Sequence, residues 1–503
     1  MLKVLPSELI KAADQYTIDH EPISSLDLME RAAVRAFERI KRDFIREGEI
    51  GHFIVFCGIG NNGGDGLVIA RKLIEAGQSV ELNIVQFSKN YSADFQANLK
   101  RLTIQPNFLT EESHEFELPE AGIVIDALFG TGLTREVKGF SSSIITKINE
   151  WEGYVISIDL PSGMYADKGV IDKDQVVIQS DLVLSFQFPK RSFLYPENAK
   201  YIKRWELIPI GIHKDSLDRV ECSHFLIGRS DIRSILKEPM PFSHKGDRGR
   251  ALLLAGSKGK VGAAVLAARA CLRSGVGLLT LQAPQCAYTI LQSTVPEAMV
   301  EIDIEIDHLS ELKLNIQFDA LGIGPGIGLN QATQTLMKLL IQECKRPMVI
   351  DADALNILSE NKTWLPFLPA GSILSPHMKD FERLAGSWTS PDERMELLMN
   401  MAQKYKIYIV LKGKYSAIAC PGGEVFFNSS GNPGMATGGS GDVLTGILSG
   451  LLAQGYSSME AAIAGVYLHG LAGDLAAEHK GIIGMTASDI IDHIPNAYLK
   501  LTD

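Results

Sequence analysis

Glycines at 438, 439 and 441, followed at once by Asp442, head a run whose apolar residues Val443, Leu444, Ile447, Leu448, Leu451 and Leu452 recur at helical spacing. A glycine turn at a helix N-terminus leaves several backbone N–H groups unpaired and aimed at one point, which suits a phosphoryl group; the helix dipole adds to the attraction. A carboxylate at Asp442 is placed to take the proton of a hydroxyl that attacks a phosphate. The plainer reading of the same residues is a tight turn whose aspartate caps the helix, and a short glycine motif alone does not separate the two. Other segments do. GIGPGIG (322–328), VIDADALN (349–356), LSPHMKDFERL (374–384) and LKGKYS (411–416) each begin at the end of a predicted strand. They bring Gly326, Asp351, Asp353, His377, Lys412 and Lys414 towards one sheet edge, where open α/β sheets bind ligands. Singly, His377 reads as a packed or surface histidine and each lysine as a solvated one. As a set they make a site.

The first half carries a second set. In CGIGNNGGDGLVIARKL (57–73), Asn61 and Asn62 occupy a turn and Asp65 stands where a helix opens. Asparagine tolerates left-handed backbone and supplies a side-chain carbonyl, so this turn is suited to a weakly held monovalent cation as well as to a plain Asn-Gly turn. DALFGTGLTREVKG (126–139) opens with Asp126 and continues as a glycine loop, and IDLPSGMYADKG (158–169) puts Asp159 and Ser162 on a proline-fixed turn. Loop capping accounts for a single aspartate at a strand end. Three such loops on one edge exceed what capping requires.

The elements that must position these residues are β-branched runs alternating with helical patterns, which predict an α/β architecture with a parallel sheet in each half. The predicted strands of the first half are 52–58, 79–85, 122–128, 154–160 and 181–186; those of the second are 250–256, 278–283, 319–324, 348–353 and 407–413. A polar stretch over 210–245 interrupts the alternation, so two domains are expected, 1–215 and 225–503. A chain of 503 residues exceeds what one hydrophobic core organises. The net charge of −11 argues against nucleic acid as a partner. The six cysteines are scattered without a C-x-x-C pair, which predicts reduced, mostly buried thiols rather than zinc ligands or disulfides. With no apolar leader and no run of membrane-spanning length, a cytoplasmic protein without membrane association is expected.

SHKGDRGRALLLAGS, ALGIGPGIG, VIDADALN, LKG and GNPGMATGGSGDVLTG together resemble the ribokinase-related NAD(P)H-hydrate dehydratases over roughly residues 225–500. NNGGDG, DALFGTG, D-x-P-S-G and the early LMERAA (28–33) resemble the NAD(P)H-hydrate epimerases over roughly residues 1–215. The order of the two halves resembles the bifunctional repair enzymes. The resemblance implies a Rossmann-like three-layer sandwich followed by a ribokinase-like one, with hydrated NADH and NADPH (NADHX, NADPHX) and ADP or ATP as ligands. It implies that the nucleotide phosphorylates the C6 hydroxyl of the S hydrate, with Asp442 as base, after which phosphate leaves. Lys412, Gly413, Lys414, Tyr415 and Ser416, with Gly438, Gly439, Ser440 and Gly441, would hold the nucleotide and its Mg2+. Gly326, His377 and Asp442 would meet the hydrate.

In the epimerase half, Asn61, Asn62, Gly63, Gly64 and Asp65 would contact the hydrate, as would Gly130, Thr131, Gly132, Leu133, Thr134, Arg135 and Glu136. Asn62, Asp126 and Ser162 would bind K+. Asp159 would contact the substrate and do the acid/base work. The resemblance also implies a homo-oligomer. One departure stands out: the family's Pro-His-Pro-Gly-Glu stretch is PHMKD (376–380) here, which keeps His377 and replaces the Pro-Gly turn. Two other readings stay open on the residues alone. The second half is also suited to a small-molecule kinase for a vitamin precursor, and the first half to a silent regulatory module.

Overall fold

Alternate residues of the strand His52–Cys57 enter different cores. Phe53, Val55 and Cys57 pack with Ala33, Ala36 and Phe37 of the helix Ser25–Phe44 and with Leu67 and Leu73 of the helix Asn61–Glu75. Ile54 and Phe56 pack instead with Ile144, Ile145 and Ile148 of the helix Phe140–Asn149. Since side chains alternate across a strand, two cores on one strand mean helices on both faces, a three-layer sandwich. These details come from a computed structural model, which describes residues 1–113, 115–170, 175–238 and 240–502. The chain divides into two compact units, one of Lys3–Cys222 with Ser390–Asp392, the other of Ser223–Thr389 and Glu393–Asp503 with Met1–Leu2.

In the first unit seven parallel strands lie in the order Asn107–Leu109, Ser79–Val85, His52–Cys57, Ile123–Ala127, Tyr154–Ile158, Leu182–Phe186 and Trp205–Ile208. The chain winds outward from His52–Cys57 to one edge, then crosses back to Ile123–Ala127 and winds to the other. That reversal opens a crevice at the C-terminal ends of these two neighbouring strands. The NNGGDG and DALFGTG segments follow them directly.

The second unit repeats the plan on a larger scale. Its eleven-stranded sheet runs from Leu2–Lys3 at one edge through His224–Ile227, Val425–Asn428, Ala417–Ala419, Tyr408–Leu411, Ile373–Leu374, Met348–Ile350, Ala320–Ile323, Arg250–Leu254 and Leu278–Ala283 to Met299–Ile302. Ala251 and Leu253 pack under the helices Val261–Arg273 and Ser440–Ala453, while Leu252 and Leu254 are equally buried outside that core, so both faces are again covered. A Cβ at Gly446 would lie 2.1 Å from the Ala267 carbonyl oxygen and one at Gly450 2.0 Å from Ser274 Oγ. Those two glycines let the helix behind Asp442 lie directly on its neighbour, which fixes where the glycine turn points.

The alternation predicts a parallel sheet, but this one is not parallel throughout. Tyr408–Leu411 pairs antiparallel with Ala417–Ala419, and that strand antiparallel with Val425–Asn428. The links Lys412–Ser416 and Cys420–Glu424 are too short for a crossover helix, so the chain can only double back. The polar 210–245 stretch also holds more order than expected, with the helices Lys214–Arg219 and Arg229–Ile235 flanking the strand His224–Ile227.

Candidate functional site

Four adjacent strands of the second unit end on the predicted residues. Gly326 follows Ala320–Ile323, Asp351 and Asp353 follow Met348–Ile350, His377 follows Ile373–Leu374, and Lys412 follows Tyr408–Leu411. Asp351 is buried, with one carboxylate oxygen 2.9 Å from Lys412 Nζ and the other accepting from Thr445 Oγ1 at 2.9 Å. Thr445 lies one turn beyond Gly441, whose carbonyl it also meets at 3.2 Å. The glycine turn is thereby tied to two strand ends. Gly439 has φ +90°, a left-handed conformation that glycine adopts without strain, and caps the helix Ser440–Ala453. Within the first turn Ser440 N–H reaches the Thr437 carbonyl and Val443 N–H the Gly439 carbonyl, and among the described residues Gly441 and Asp442 N–H have no backbone acceptor. A Cβ at Gly438 would meet nothing within 4 Å, whereas one at Gly439 would meet Leu266 and one at Gly441 would lie 3.3 Å from Lys412 Nζ.

Burial, and then the charge of Asp351, push the Asp442 carboxyl up to about 6, while Lys412 pulls the other way. A carboxyl poised there changes protonation close to neutrality, as a general base requires. His377 faces the same groups; burial pushes its imidazole down against the pull of Asp380, and Lys412 and Arg383 add to the fall. The replaced Pro-Gly turn has a structural outcome. Met378 and Lys379 start a helix, Met378–Ala385, and His377 is its cap, with Nδ1 accepting from Lys379 and Asp380 N–H at 3.1 and 3.2 Å. Lys414 donates to the Gly431 carbonyl, and Ser416 Oγ closes its own turn on Gly413. The sequence reading missed three neighbours: Thr445, Lys260 (3.0 Å from Asp353) and His469, whose Nε2 lies 3.2 Å from Ser440 Oγ. Lys260 was legible, since it follows the strand Arg250–Leu254; His469 lies mid-helix and carries no local signal.

In the first unit Asp126 is buried and hydrogen-bonded through both carboxylate oxygens. Its oxygens accept from Ser162 Oγ and N–H, Ser157 Oγ and Leu128 N–H. Beside it the Asn62 side chain is buried with neither its oxygen nor its nitrogen bonded, and a Cβ at Gly130 would meet that oxygen at 3.4 Å. The expected turn at Asn61 and Asn62 is instead the first turn of the helix Asn61–Glu75, capped by Gly60, and neither asparagine has a positive φ. The amide is presented by helical geometry rather than by left-handed backbone. Gly63 and Gly64 serve packing: a Cβ on Gly63 would lie 1.8 Å from the Gly58 carbonyl oxygen and one on Gly64 2.6 Å from Met29 Sδ. In the second loop Gly132, Thr134 and Arg135 are exposed, Thr131, Leu133 and Glu136 partly so, and Leu133 N–H closes a turn on Gly130.

Asp159 adopts φ +65°, rare for a residue with a side chain. Its N–H bonds the Leu184 carbonyl at 2.7 Å, and its Oδ1 lies 2.9 Å from Lys190 Nζ. That ammonium is 1% exposed and also donates to the carbonyls of Phe188 and Phe186 at 3.2 and 3.3 Å. Burial pushes the neighbouring Asp65 carboxyl well above the usual carboxylate range, and Asp159, Asp14 and Asp94 add to the rise. Lys190 and Asp14 are further residues that the sequence reading missed. Among the described residues no group of three or more His, Cys, Asp or Glu converges as a metal cage, and no helix is long and apolar enough to cross a membrane.

The NAD(P)H-hydrate dehydratase family model matches residues 251–496, and that of the YjeF-related protein N-terminus matches residues 25–192. The bifunctional NAD(P)H-hydrate repair enzyme Nnr of Moorella thermoacetica is 36% identical, covering 96% of this chain and 94% of its own. The chain belongs to that family. The namesake from Dictyoglomus turgidum is 31% identical over 99% of this chain and 98% of its own. Among solved structures, the ADP/ATP-dependent NAD(P)H-hydrate dehydratase of Bacillus subtilis, co-crystallized with ATP/Mg2+, is 29% identical, with a TM-score of 0.48 over 55% of this chain and 97% of its own.

Proposed function

We infer that the chain repairs hydrated NADH and NADPH, the first unit interconverting the R and S forms and the second dehydrating the S form with ADP or ATP. The observation that carries the reading is Asp442, a carboxyl raised to about 6 at a helix N-terminus where, among the described residues, the Gly441 and Asp442 N–H groups have no backbone acceptor. A hydroxyl at C6 of the hydrate would give its proton to Asp442 as it takes the terminal phosphoryl group. The turn 438–441 would hold the transferring phosphate, and Lys412 to Ser416 would line the nucleotide, with Gly326 and His377 on the hydrate side. Mg2+ would arrive on the phosphates, which suits its reluctance to shed water.

In the first unit Asn62, Asp126 and Ser162 would hold K+. The buried, unbonded Asn62 oxygen lacks a partner of this kind, and all three residues offer oxygen donors. Bound there, the ion would supply fixed positive charge beside the substrate. Asn61 to Asp65 and Gly130 to Glu136 would contact the hydrate, with Asp159 as the acid/base group at C6. The test is to follow inorganic phosphate and NADH together from the pure S epimer with Mg2+ and either nucleotide. One phosphate per NADH is expected; a phosphorylated product that accumulates without NADH would mean a kinase.

A further inference from the structure

Asp14 lies on the helix Ser7–His20, far in sequence from every motif of the first unit. The core face of that helix is set by Ile10, Ala13 and Thr17, of which Ile10 and Ala13 pack in the same core as Ile158, Leu184 and Phe188. Thr17 is held in turn, donating to the Ala13 carbonyl at 2.9 Å and accepting from His213 N–H at 3.0 Å. The helix therefore shares its core with the ends of Tyr154–Ile158 and Leu182–Phe186, which Asp159 and Lys190 follow. Asp14 follows Ala13 directly and is only partly exposed. Its carboxyl lies within reach of the charges of Asp159 and Lys190, and Asp65 of the helix Asn61–Glu75 within reach of its own.

We propose that Asp14 is the general acid of the epimerisation, working opposite Asp159 as base, with Lys190 as the positioning residue that holds the Asp159 carboxylate. The proposal rests on the reading of the first unit as a C6 epimerase. Epimerisation requires a bond at C6 to break and re-form on the other face. The Asp14 proton passes to the C6 hydroxyl oxygen as the C–O bond breaks; the ring nitrogen lone pair closes to a C6=N iminium, and water leaves. Water then adds to the other face of C6 and gives its proton to Asp159, and exchange with solvent returns both carboxyls to their starting forms. Two carboxyls with different surroundings are what such a division of labour needs. Asp159 is ion-paired to Lys190 at 2.9 Å, whereas burial and then the charge of Asp159 push the Asp14 carboxyl up to about 6.

The experiment supplies the full chain with the R epimer of NADHX, K+, Mg2+ and nucleotide, and reads NADH formed by the chain's own second unit under conditions where epimerisation limits the rate. The pure S epimer serves as control. Asp14→Asn is expected to lower turnover of R by about 10²–10⁴-fold, with KM little changed and turnover of S unchanged. The wild-type rate falls above about pH 6 as Asp14 loses its proton; Asp14→Asn loses that limb, and Asp14→Glu restores both part of the rate and the limb. An Asp14→Asn rate within twofold of wild type, or one that keeps the limb, would overturn the proposal. A wild-type chain that converts S but never R would overturn the epimerase reading itself, a result the variants cannot mimic.

Discussion

Both units put a glycine-rich turn after a strand and an aspartate at the head of the next helix, yet the glycines do different work. In NNGGDG they let elements touch: Gly63 lies against the Gly58 carbonyl, Gly64 against Met29, and Gly66 against Cys57 and Ala127. In GGSGD they clear a path: Gly438 has no neighbour on its Cβ side, and a Cβ at Gly441 would point at Lys412 Nζ from 3.3 Å. The ion pairs are mirror images too. In the first unit the fully buried partner is the cation, Lys190; in the second it is the anion, Asp351. A site that binds phosphates needs free N–H groups, whereas one that breaks and re-forms a C–O bond at a ring carbon needs carboxyls held in a packed wall.

The largest expected effect separates the two chemistries. Asp442→Ala should lower dehydration of the S epimer by about 10²–10⁴-fold and leave the interconversion of R and S untouched, as followed by chromatography of the epimers. If one substitution stops both, the sites are not independent. Next comes the mirror-image ion pair. Lys412→Met strands the buried Asp351 and should cost about 3–5 kcal/mol in denaturant melts. Asp159→Asn strands the equally buried Lys190 and should cost a similar amount, because an amide oxygen and two carbonyls accept from the ammonium without supplying a counter-charge. A negligible cost for either variant would break the comparison.

The glycines give a smaller contrast. Gly63→Ala forces a Cβ into backbone and should destabilise the chain by about 1–3 kcal/mol, whereas Gly438→Ala should leave the melt unchanged and weaken nucleotide binding in calorimetry. A pH effect on Asp442→Asn is of similar size. The wild-type carboxyl is raised from 3.8 to about 6, so the folded state holds its proton longer than the unfolded one. That stabilising term is complete below about pH 4 and lost as the pH climbs through 6. The variant should melt like wild type at pH 4 and be more stable by roughly 1–3 kcal/mol at pH 7.5. Equal melts at both pH values would place Asp442 in solvent.

Residues that announce themselves by local chemistry were legible in the sequence. Asp351 and Asp126 each follow a β-branched run, Asp442 follows a glycine cluster and heads an apolar helical pattern, and the strands Ser79–Val85 and Leu278–Ala283 fall on their predicted bounds. The hairpin Ala417–Ala419 with Val425–Asn428 was not: strands of three and four residues are too short for a period to show. Asp14 was invisible for another reason. On an N-terminal helix among Lys11, Gln15 and Asp19 it reads as a solvated charge, and only tertiary packing turns it towards Asp159. Asn62 was legible as a residue but not in its conformation, since NNGG reads as a turn until the close packing of Gly63 and Gly64 makes it a helix start.

If one chain runs two separate reactions in series, the recovery of reduced-nicotinamide absorbance from mixed-epimer NADHX with K+, Mg2+ and nucleotide must differ between wild type and Asp159→Asn. Full recovery is expected of wild type, and of Asp159→Asn an initial phase that stalls at the fraction of S epimer. Full recovery by Asp159→Asn at the wild-type rate, or a stall in wild type itself, would contradict two reactions in series.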